Sequence, residues 1–386
     1  MVWEKRLTMN EKKRVLYLTN IPSPYRVDFF NELGKQVHLE VVYELPYATD
    51  RDSKWQELKA VHFKESFLSS VRVKADASLS FEIIKKLSKR EFDIIIVGGY
   101  STPTACLAIL YLWLHRIPFV LNADGGFVKQ ENKIKYLIKK FFISRASYWL
   151  STGKMTDAYL LYYGATSENI YRYPFSSFRE QEILHEPIML EEKQRIKEKY
   201  GIYEKKMILF VGQFIYRKGI DLLLNACDGL EKDIGVYFVG GEVTEEYFDI
   251  IDKKQLQNIH FWKFANKQTI KELYMAADLF VLPTREDIWG LVINEAMSYG
   301  LPVITTDRCI AGVELVGREN GMIIPVDDVD ALKSAIRTVL EIPSEKFFYS
   351  NYEVISNYTI ENMAKVHAEI IENISVRENR YESFND

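Results

Sequence analysis

Two segments in the second half of the chain carry side chains that could hold a diphosphate. In the first, Arg217 and Lys218 follow an apolar run and a glycine, and they lead through Gly219 into an apolar helix. At such a strand-to-helix turn, the planar arginine fork and the lysine ammonium can both meet phosphate oxygens. The alternative is a pair of solvated charges at a helix start, where the helix dipole mildly disfavours cations.

The second segment places two carboxylates around a predicted helix start. The apolar run 279–282 predicts a buried strand, and the residues after it predict a helix over 288–300. Asp287 lies in the loop between the two, and Glu295 lies on the helix. Because ligands of open α/β sheets bind where a strand leads into a helix, both carboxylates are candidates for ligand contact.

Backbone amides at the start of this helix offer a further phosphate contact. A helix beginning near Ile288 leaves the N–H groups up to about Leu291 without partners inside the helix, and these groups carry a partial positive charge. Gly290 has no side chain that would keep a ligand away from them. Two turns later, Glu295 could accept hydrogen bonds from ribose hydroxyls. The alternative for Glu295 is an exposed helix glutamate.

Other chemistries fit the sequence less well. Eight helical residues rise by about 12 Å, whereas the two carboxylates of a glycoside hydrolase lie about 5–9.5 Å apart, so Asp287 and Glu295 do not suit that role. The sequence contains neither a GxGxxG motif nor a phosphate loop ending in Gly-Lys-Ser/Thr. The six histidines show no ligand spacing, and 50–52 (Asp-Arg-Asp) matches a metal-binding pattern in a charged, irregular segment. We therefore expect no metal ion and no cofactor.

The two segments together resemble the donor-binding motifs of the retaining nucleotide-sugar glycosyltransferases of family 4. The resemblance is strong over about 206–341 and only topological before residue 180. It implies the GT-B fold, in which two Rossmann-like domains face each other across a cleft, and it implies metal-independent transfer. It further implies that Lys218 holds the diphosphate, Glu295 holds the ribose and Asp287 lies by the transferred sugar. The predicted nucleotide-sugar-binding residues are Gly212, Gln213, Arg217, Lys218, Gly290, Leu291 and Glu295, and the predicted catalytic residues are Asp287, Lys218 and Arg217.

Three positions depart from the family pattern. The first acid of the second motif is usually a glutamate, and here it is Asp287. The arginine that commonly follows the strand glycine is Gln213, so Arg217 is expected to replace its charge. The histidine that often follows the fourth strand of the first domain is replaced by Asp124, which is either a sugar contact or a turn residue.

Acceptor contacts are expected from the first half of the chain. Tyr25 and Arg26 follow the first strand, so they are predicted at the carboxyl edge of a sheet together with Asp124. The alternative for Tyr25 is packing, and the alternative for Arg26 is solvation.

The alternation of strand and helix patterns predicts an α/β protein of two domains. At 386 residues the chain exceeds one typical core, and near-continuous apolar strands indicate parallel sheets covered on both faces. We predict a first domain over 1–178, joined by a C-terminal helix over about 357–386, and a second domain over 195–356. In the first half, the pattern predicts strands over 14–19, 37–43, 93–97, 119–122 and 148–151, and helices over 24–34, 77–90, 102–115, 131–145 and 154–163.

Composition favours a cytoplasmic protein that does not bind nucleic acid. The three cysteines show no ligand spacing, the N-terminal segment lacks the apolar run of a signal peptide, and the net charge is −4. The longest apolar stretch, 105–114, has about half of the roughly 20 residues that a membrane span needs.

One basic segment predicts contact with a membrane surface. Residues 129–145 contain six basic side chains and one acidic side chain. The apolar residues of this segment recur at intervals of three and four, as on one face of a helix. They are Ile134, Leu137, Ile138, Phe141 and Phe142. Such a helix can lie on an anionic bilayer. The alternative is a helix that packs its apolar stripe on the core and exposes its lysines.

The sequence thus predicts a retaining glycosyltransferase that moves a sugar from a nucleoside diphosphate sugar to a hydroxyl of a saccharide or lipid-linked acceptor. The acceptor class implied by the family is a lipid-linked or surface-polysaccharide precursor, and a peripheral location at the inner face of the plasma membrane would follow. Two alternatives stay open: a non-catalytic GT-B scaffold with a decayed site, and a nucleotide-sugar epimerase.

Overall fold

The chain forms two compact units. The computed structural model describes residues 12–49, 59–87 and 91–383, so the Asp-Arg-Asp segment at 50–52 lies outside the described residues. The first unit takes the described residues up to Thr152, then 156–175, and the chain from Ile360 onward. The second unit takes 153–155 and 176–359.

The first unit is built on a seven-stranded parallel sheet with the order β3-β2-β1-β6-β7-β8-β9. Its elements are β1 (Arg14–Thr19), α1 (Pro24–Gly34), β2 (His38–Tyr43), β3 (Lys64–Phe67), β4 (Val71–Lys74), β5 (Ala77–Leu79), α2 (Ile83–Lys86), β6 (Ile94–Val97), α3 (Pro103–Leu114), β7 (Val120–Ala123), α4 (Lys133–Ile143), β8 (Tyr148–Ser151), α5 (Lys154–Tyr162) and β9 (Ile170–Arg172). The strand order reverses between β1 and β6, the position at which open α/β sheets bind ligands.

Local signals explain the elements that the sequence predicts correctly. β1 is apolar on both faces and buried from Val15 onward, as expected for a central parallel strand. Pro24 occupies the first turn of α1, where its missing N–H and fixed φ are compatible with a helix. Thr102 caps α3, because its side chain accepts a hydrogen bond from the Ala105 N–H.

The predicted helix over 77–90 is wrong. Residues Ala77–Leu79 form β5, which pairs antiparallel with β4, and the helix α2 covers only Ile83–Lys86. Residues 88–90 lie outside the described part of the chain. The strand is favoured because Ser78 is buried and its N–H and hydroxyl donate to the Glu44 carboxylate, a tertiary contact that helical propensity does not reveal.

The second unit is built on a six-stranded parallel sheet with the order β12-β11-β10-β13-β14-β15. Its elements are α6 (Leu190–Lys199), β10 (Lys206–Val211), α7 (Ile220–Ala226), β11 (Ile234–Val239), α8 (Glu245–Lys254), β12 (Ile259–Trp262), α9 (Lys267–Ala276), β13 (Leu279–Leu282), α10 (Leu291–Ser298), β14 (Val303–Thr306), α11 (Ile310–Leu315), β15 (Gly321–Ile324), α12 (Val329–Leu340) and α13 (Glu345–Ile355). Here the strand order reverses between β10 and β13.

Helix α10 is shorter than the predicted 288–300. It begins at Leu291 because Gly290 has a φ of 96°, a left-handed value that interrupts helical geometry. It ends at Ser298, and Gly300 follows with a φ of 73°. A Cβ at Gly300 would lie 2.2 Å from a ring carbon of Phe348, so glycine also permits the close packing of α13 on α10.

The final helix returns to the first unit. Helix α14 (Ile360–Ser383) packs along α1, with His367 buried between the rings of Phe29 and Tyr173. Residues 179–194, which the sequence analysis left between the two domains, belong to the second unit, and so do 176–178, which it placed in the first domain. These residues include the start of α6, which packs on α9. In the described ranges, no helix has both the length and the apolar character required to cross a bilayer.

Candidate functional site

Two loops of the second unit meet at its topological switch point. The loop after β10 and the loop after β13 are joined by hydrogen bonds from the Thr284 hydroxyl and the Arg285 N–H to the Arg217 carbonyl oxygen, at 2.9 Å and 2.8 Å. Gly219 permits this approach, because its φ is 72° and a Cβ there would lie 2.0 Å from the Pro283 carbonyl oxygen. The arrangement brings the two predicted motifs together.

Lys218 and Asp287 form an ion pair in this position. The Lys218 ammonium donates to Asp287 Oδ2, and the two side chains are 13% and 11% exposed. The Asp287 backbone is held from the other side, since its N–H donates to the Arg308 carbonyl at 2.8 Å and its carbonyl accepts from the Ile310 N–H at 3.1 Å. A carboxylate and a mobile ammonium are therefore presented side by side at the carboxyl end of the sheet.

Arg217 is the more exposed member of the basic pair. Its guanidinium donates to the carbonyl oxygen of Glu286, which keeps the arginine beside the acidic loop. The five-donor fork of an arginine has further N–H groups for an anion after one such bond.

Sequence reasoning missed Arg285, which organises both loops. Its guanidinium makes a bidentate pair with Asp221 at 2.8 Å and 2.7 Å and a further bond to Asp327 at 2.7 Å. It also lies 3.8 Å from the centroid of the Tyr216 ring. The Asp221 hydrogen bonds raise the pKa of Arg285 above its ordinary value. The sequence did contain a signal, because Arg285 directly precedes the two acidic residues Glu286 and Asp287 in the loop after β13.

The start of α10 lies three residues after Asp287. Because Gly290 is left-handed, the helical amides begin at Leu291 rather than at Ile288 as predicted, and the Ile293 N–H already bonds to the Gly290 carbonyl at 2.8 Å. A Cβ at Gly290 would lie 2.7 Å from Cys309 Sγ, so the position tolerates no side chain without movement. A ligand can thus approach the amides of the first turn of α10 across Gly290, which has no side chain.

Gly212 and Gln213 follow β10 on the side of β11. The Gly212 N–H donates to the Val239 carbonyl at 2.9 Å. A Cβ at Gly240, whose φ is 125°, would lie 2.5 Å from the Gly212 carbonyl oxygen. The two strand ends are therefore in close backbone contact, and Gln213 lies partly buried in the next position.

Glu295 is held by two hydroxyl groups of the second unit. Ser177 Oγ donates to Oε1 and Tyr274 Oη donates to Oε2, each at 3.2 Å. Burial raises the pKa of the Glu295 carboxyl above its ordinary value, although the two hydrogen bonds act in the opposite direction. Neither Ser177 nor Tyr274 was a candidate from the sequence, since each lies far from Glu295 along the chain.

In the first unit, Asp124 and Arg26 form a second cation–carboxylate pair. Arg26 Nη2 donates to Asp124 Oδ2, and the side chains are 6% and 31% exposed, so the carboxylate is the member that reaches solvent. Tyr173 and Asn122 donate to Asp124 Oδ1 at 3.0 Å and 2.7 Å. Burial would raise the pKa of Asp124, but Arg26 and these two donors outweigh it and hold the pKa below its ordinary value.

Tyr25 lies against the same group. Its ring centroid is 5.8 Å from that of Phe175, and the Arg26 guanidinium lies 5.7 Å and 5.5 Å from the two ring centroids. Arg26 is thus an internal partner of Asp124, enclosed by aromatic rings, rather than a solvated cation.

Comparison with known proteins identifies the segment that carries the two meeting loops. The family described as glycosyl transferases group 1 matches residues 192–361. Through this segment, the chain is similar to the group 1 glycosyl transferases. The matched segment contains the Lys218–Asp287 pair, the start of α10 and Glu295, which agrees with the resemblance found in the sequence.

Curated relatives match part of the length of this chain. The lipopolysaccharide glucosyltransferase WaaG of Escherichia coli is 34% identical over 119 residues, which cover 29% of this chain and 31% of WaaG. The alpha-galactosylglucosyldiacylglycerol synthase of Streptococcus pneumoniae is 26% identical over 214 residues, which cover 53% of this chain and 56% of the synthase. The chain therefore spans less than two thirds of the length of the curated relatives it matches.

Solved structures establish the fold of the whole chain. Anabaena HepE in complex with UDP aligns with a TM-score of 0.75 at 16% identity, covering 94% of this chain and 100% of the HepE chain. The predicted fold class, GT-B with two Rossmann-like domains, is confirmed.

Proposed function

We propose that the protein transfers a sugar from a nucleoside diphosphate donor to a hydroxyl group of an acceptor. The observation that carries the proposal is the meeting of the Lys218 loop and the Asp287 loop at the switch point between β10 and β13, beside the start of α10. This arrangement offers cations, helix amides and a carboxylate to one ligand. HepE, which shares the fold, has been solved with UDP and with UDP-glucose.

Each donor-side residue has a distinct role in this proposal. Lys218 and Arg217 bind the diphosphate and stabilise the charge that develops on it as it leaves, together with amides of the first turn of α10. When the Lys218 ammonium turns to phosphate, Asp287 becomes available to a hydroxyl of the transferred sugar. Glu295 accepts the ribose hydroxyls, and Gly212 and Gln213 line the side of β11.

Transfer is proposed to occur with retention at the anomeric carbon, as the family resemblance implies. The acceptor oxygen forms its bond to the anomeric carbon on the face from which the diphosphate departs. The bond between that carbon and the diphosphate oxygen breaks, and the acceptor proton passes to the leaving phosphate. No metal ion and no other cofactor takes part.

Asp124 is the proposed acceptor contact of the first unit. Its carboxylate is kept ionised by Arg26, Tyr173 and Asn122 and is partly exposed, so it can accept a hydrogen bond from a substrate hydroxyl. Because the Arg26 charge is already paired and buried, this position favours a hydroxyl over a phosphate or a carboxylate. Tyr25 supports the pair through the packing of its ring.

The acceptor is proposed to be a lipid-linked or polysaccharide precursor reached at a membrane surface. In α4, Ile134, Leu137 and Ile138 are 73%, 54% and 53% exposed, so this part of the apolar stripe does not pack on the core of the unit, whereas Phe142 does. Trp113 and Leu114 of α3 are 39% and 61% exposed. Trp113 joins the two helices, with its ring centroid 5.4 Å from that of Phe141. These five exposed residues are called the α3–α4 face.

Charge selects an anionic bilayer as the partner of the α3–α4 face. Six basic residues lie in the 129–145 segment that carries α4, and Glu131, the acid of that segment, is paired with Lys135 and Lys139. Each basic residue near an anionic surface adds about 1 kcal/mol of attraction. A peripheral location at the inner face of the plasma membrane follows from this proposal.

A thermal-shift panel of UDP, GDP and ADP tests the donor site. A ligand at 100 times its Kd adds about 2.7 kcal/mol to stability, which is visible as a rise in Tm. We expect one nucleotide to shift the wild type but not Glu295→Ala, and Glu198→Ala on the exposed face of α6 to behave as wild type. No shift from any of the three would contradict the proposal and favour a decayed GT-B scaffold.

Incubation with the bound nucleotide's sugar conjugates separates transfer from epimerisation. A transferase consumes the conjugate faster when acceptor is added and releases the nucleoside diphosphate. An epimerase would convert the sugar on its nucleotide without any acceptor.

Sedimentation with vesicles tests the α3–α4 face. We expect the wild type to bind vesicles of phosphatidylcholine with about one third phosphatidylglycerol and to lose binding as salt is raised. The double variant Leu137→Glu, Ile138→Glu should stay in solution. Val71→Glu, which changes an equally exposed apolar residue of β4, should bind as wild type. If the double variant bound vesicles as well as the wild type does, α4 would not be part of the membrane contact.

A further inference from the structure

The two hydroxyl groups that hold Glu295 come from separate segments of the second unit. Ser177 lies in the segment before α6, and Tyr274 lies on α9, yet each donates to a different oxygen of the same carboxylate, at 3.2 Å. A carboxylate held on both oxygens cannot rotate freely about its terminal bond. The direction of its remaining acceptor positions is therefore fixed.

Tyr274 is itself immobilised by packing. It is 1% exposed, and its ring stacks on the Tyr299 ring with centroids 5.4 Å apart and an angle of 7° between the planes. Its ring centroid also lies 5.7 Å from that of Phe280 in β13. The Tyr274 hydroxyl is thus a fixed donor rather than a side chain that follows the carboxylate.

The number of acceptor positions left on Glu295 matches a vicinal diol. An ionised carboxylate has about four acceptor positions, and Ser177 and Tyr274 occupy one on each oxygen. One position per oxygen stays available, which suits the two adjacent hydroxyls of a ribose. We propose that Ser177 and Tyr274 are positioning residues that aim Glu295 at both ribose hydroxyls, so that the site selects ribonucleotides over dideoxynucleotides. This inference depends on the proposed donor site.

The electrostatic surroundings of Glu295 provide a second readout. Two charged residues act on it, Lys267 at the start of α9 and Glu182, and these two pair with each other at 2.6 Å. Burial raises the pKa of Glu295, and the Tyr274 hydrogen bond lowers it. Loss of that bond should raise the pKa of Glu295 further. On acidification, the carboxylate would then be protonated, and donor binding lost, at a higher pH than in the wild type.

The test compares two ligands across four proteins by titration calorimetry on the full chain. The ligands are whichever of UDP, GDP and ADP binds and its 2′,3′-dideoxy analogue. A hydrogen bond to a charged group is worth about 1.5–3 kcal/mol, and the dideoxy analogue lacks two such bonds, so we expect the wild type to prefer the ribonucleotide by at least about 100-fold. Tyr274→Phe should reduce that preference at least about fivefold and leave the Kd of the dideoxy analogue unchanged.

Tyr299→Phe is the matched control. It removes a hydroxyl from the other ring of the same stacked pair, so it should keep the wild-type preference and the wild-type pH profile. Ser177→Ala should resemble Tyr274→Phe. A melting temperature near that of the wild type verifies that each variant is folded.

The outcomes separate this inference from the proposed function. If Tyr274→Phe weakens both nucleotides equally, or changes neither the preference nor the pH at which binding fails, Tyr274 has only a packing role and the inference is overturned. If the wild type binds none of the three nucleotides, the donor site itself is overturned and the inference with it.

Discussion

The Arg26–Asp124 pair of the first unit and the Lys218–Asp287 pair of the second unit differ in what surrounds them. In the first unit, Asp124 receives hydrogen bonds from Tyr173 and Asn122 in addition to Arg26, and the arginine is buried. In the second unit, within the described part of the chain, the Asp287 side chain receives its hydrogen bond from Lys218. The first pair is one part of a larger network, whereas the second is a simple contact between two side chains.

This difference indicates which pair is available to a ligand. A lysine ammonium on a flexible stem can exchange one anionic partner for another, whereas a buried guanidinium in a network cannot leave without exposing its partner. The same motif of opposite charges thus stabilises the first unit and prepares the second for a diphosphate. Removal of Arg26 should therefore be measured in stability, and removal of Lys218 in turnover.

Arg26→Leu is expected to have the largest effect on stability. It leaves the Asp124 charge without its cation in a partly buried position, which should lower the free energy of unfolding by about 3 kcal/mol. Urea denaturation at neutral pH measures this change. A loss smaller than about 1 kcal/mol would mean that solvent compensates the carboxylate, and the contrast between the pairs would fail.

Lys218→Ala should reduce turnover at least about 100-fold. This is the loss expected when an enzyme lacks one preorganised hydrogen-bond donor that stabilises charge in the transition state. Steady-state release of the nucleoside diphosphate measures it. Near-normal turnover would place Lys218 outside the site.

Glu44→Gln should change how the unfolding free energy depends on pH. Burial raises the pKa of Glu44 to about 7, so the folded first unit holds this proton more tightly than the unfolded chain does. Its contribution to stability is therefore complete at low pH and is lost as the pH rises through about 7. In the wild type this should lower the unfolding free energy by about 2 kcal/mol between about pH 5 and about pH 8.

The glutamine variant should lack that part of the pH dependence. Urea denaturation of both proteins at several pH values provides the comparison. An unchanged slope in Glu44→Gln would assign the dependence to other groups.

Local sequence signals predicted the elements that depend on neighbouring residues. β1 and α1 were predicted with their observed bounds, because an apolar run and a proline in the first turn specify them without reference to the rest of the chain. The 77–90 segment failed because its conformation is decided by contacts of Ser78 with Glu44, a residue of another strand end.

The candidate site was predictable in composition but not in pairing. The spacing of the two motifs made Lys218, Asp287 and Glu295 candidates, but no local pattern states that Lys218 and Asp287 pair with each other. The partners of Glu295 depend on how α9 and the segment before α6 pack. For α4, spacing predicted a helix with an apolar stripe, yet whether another element covers the stripe is a tertiary property.

Helix α14 has a consequence for the order in which the protein can fold. The first unit begins the chain and packs α1 on α14, which ends it, while the residues of the second unit come almost entirely between them. During synthesis, the first unit therefore waits for its last helix until the second unit has left the ribosome. A nascent chain would expose the α1 surface around Phe29 throughout that interval.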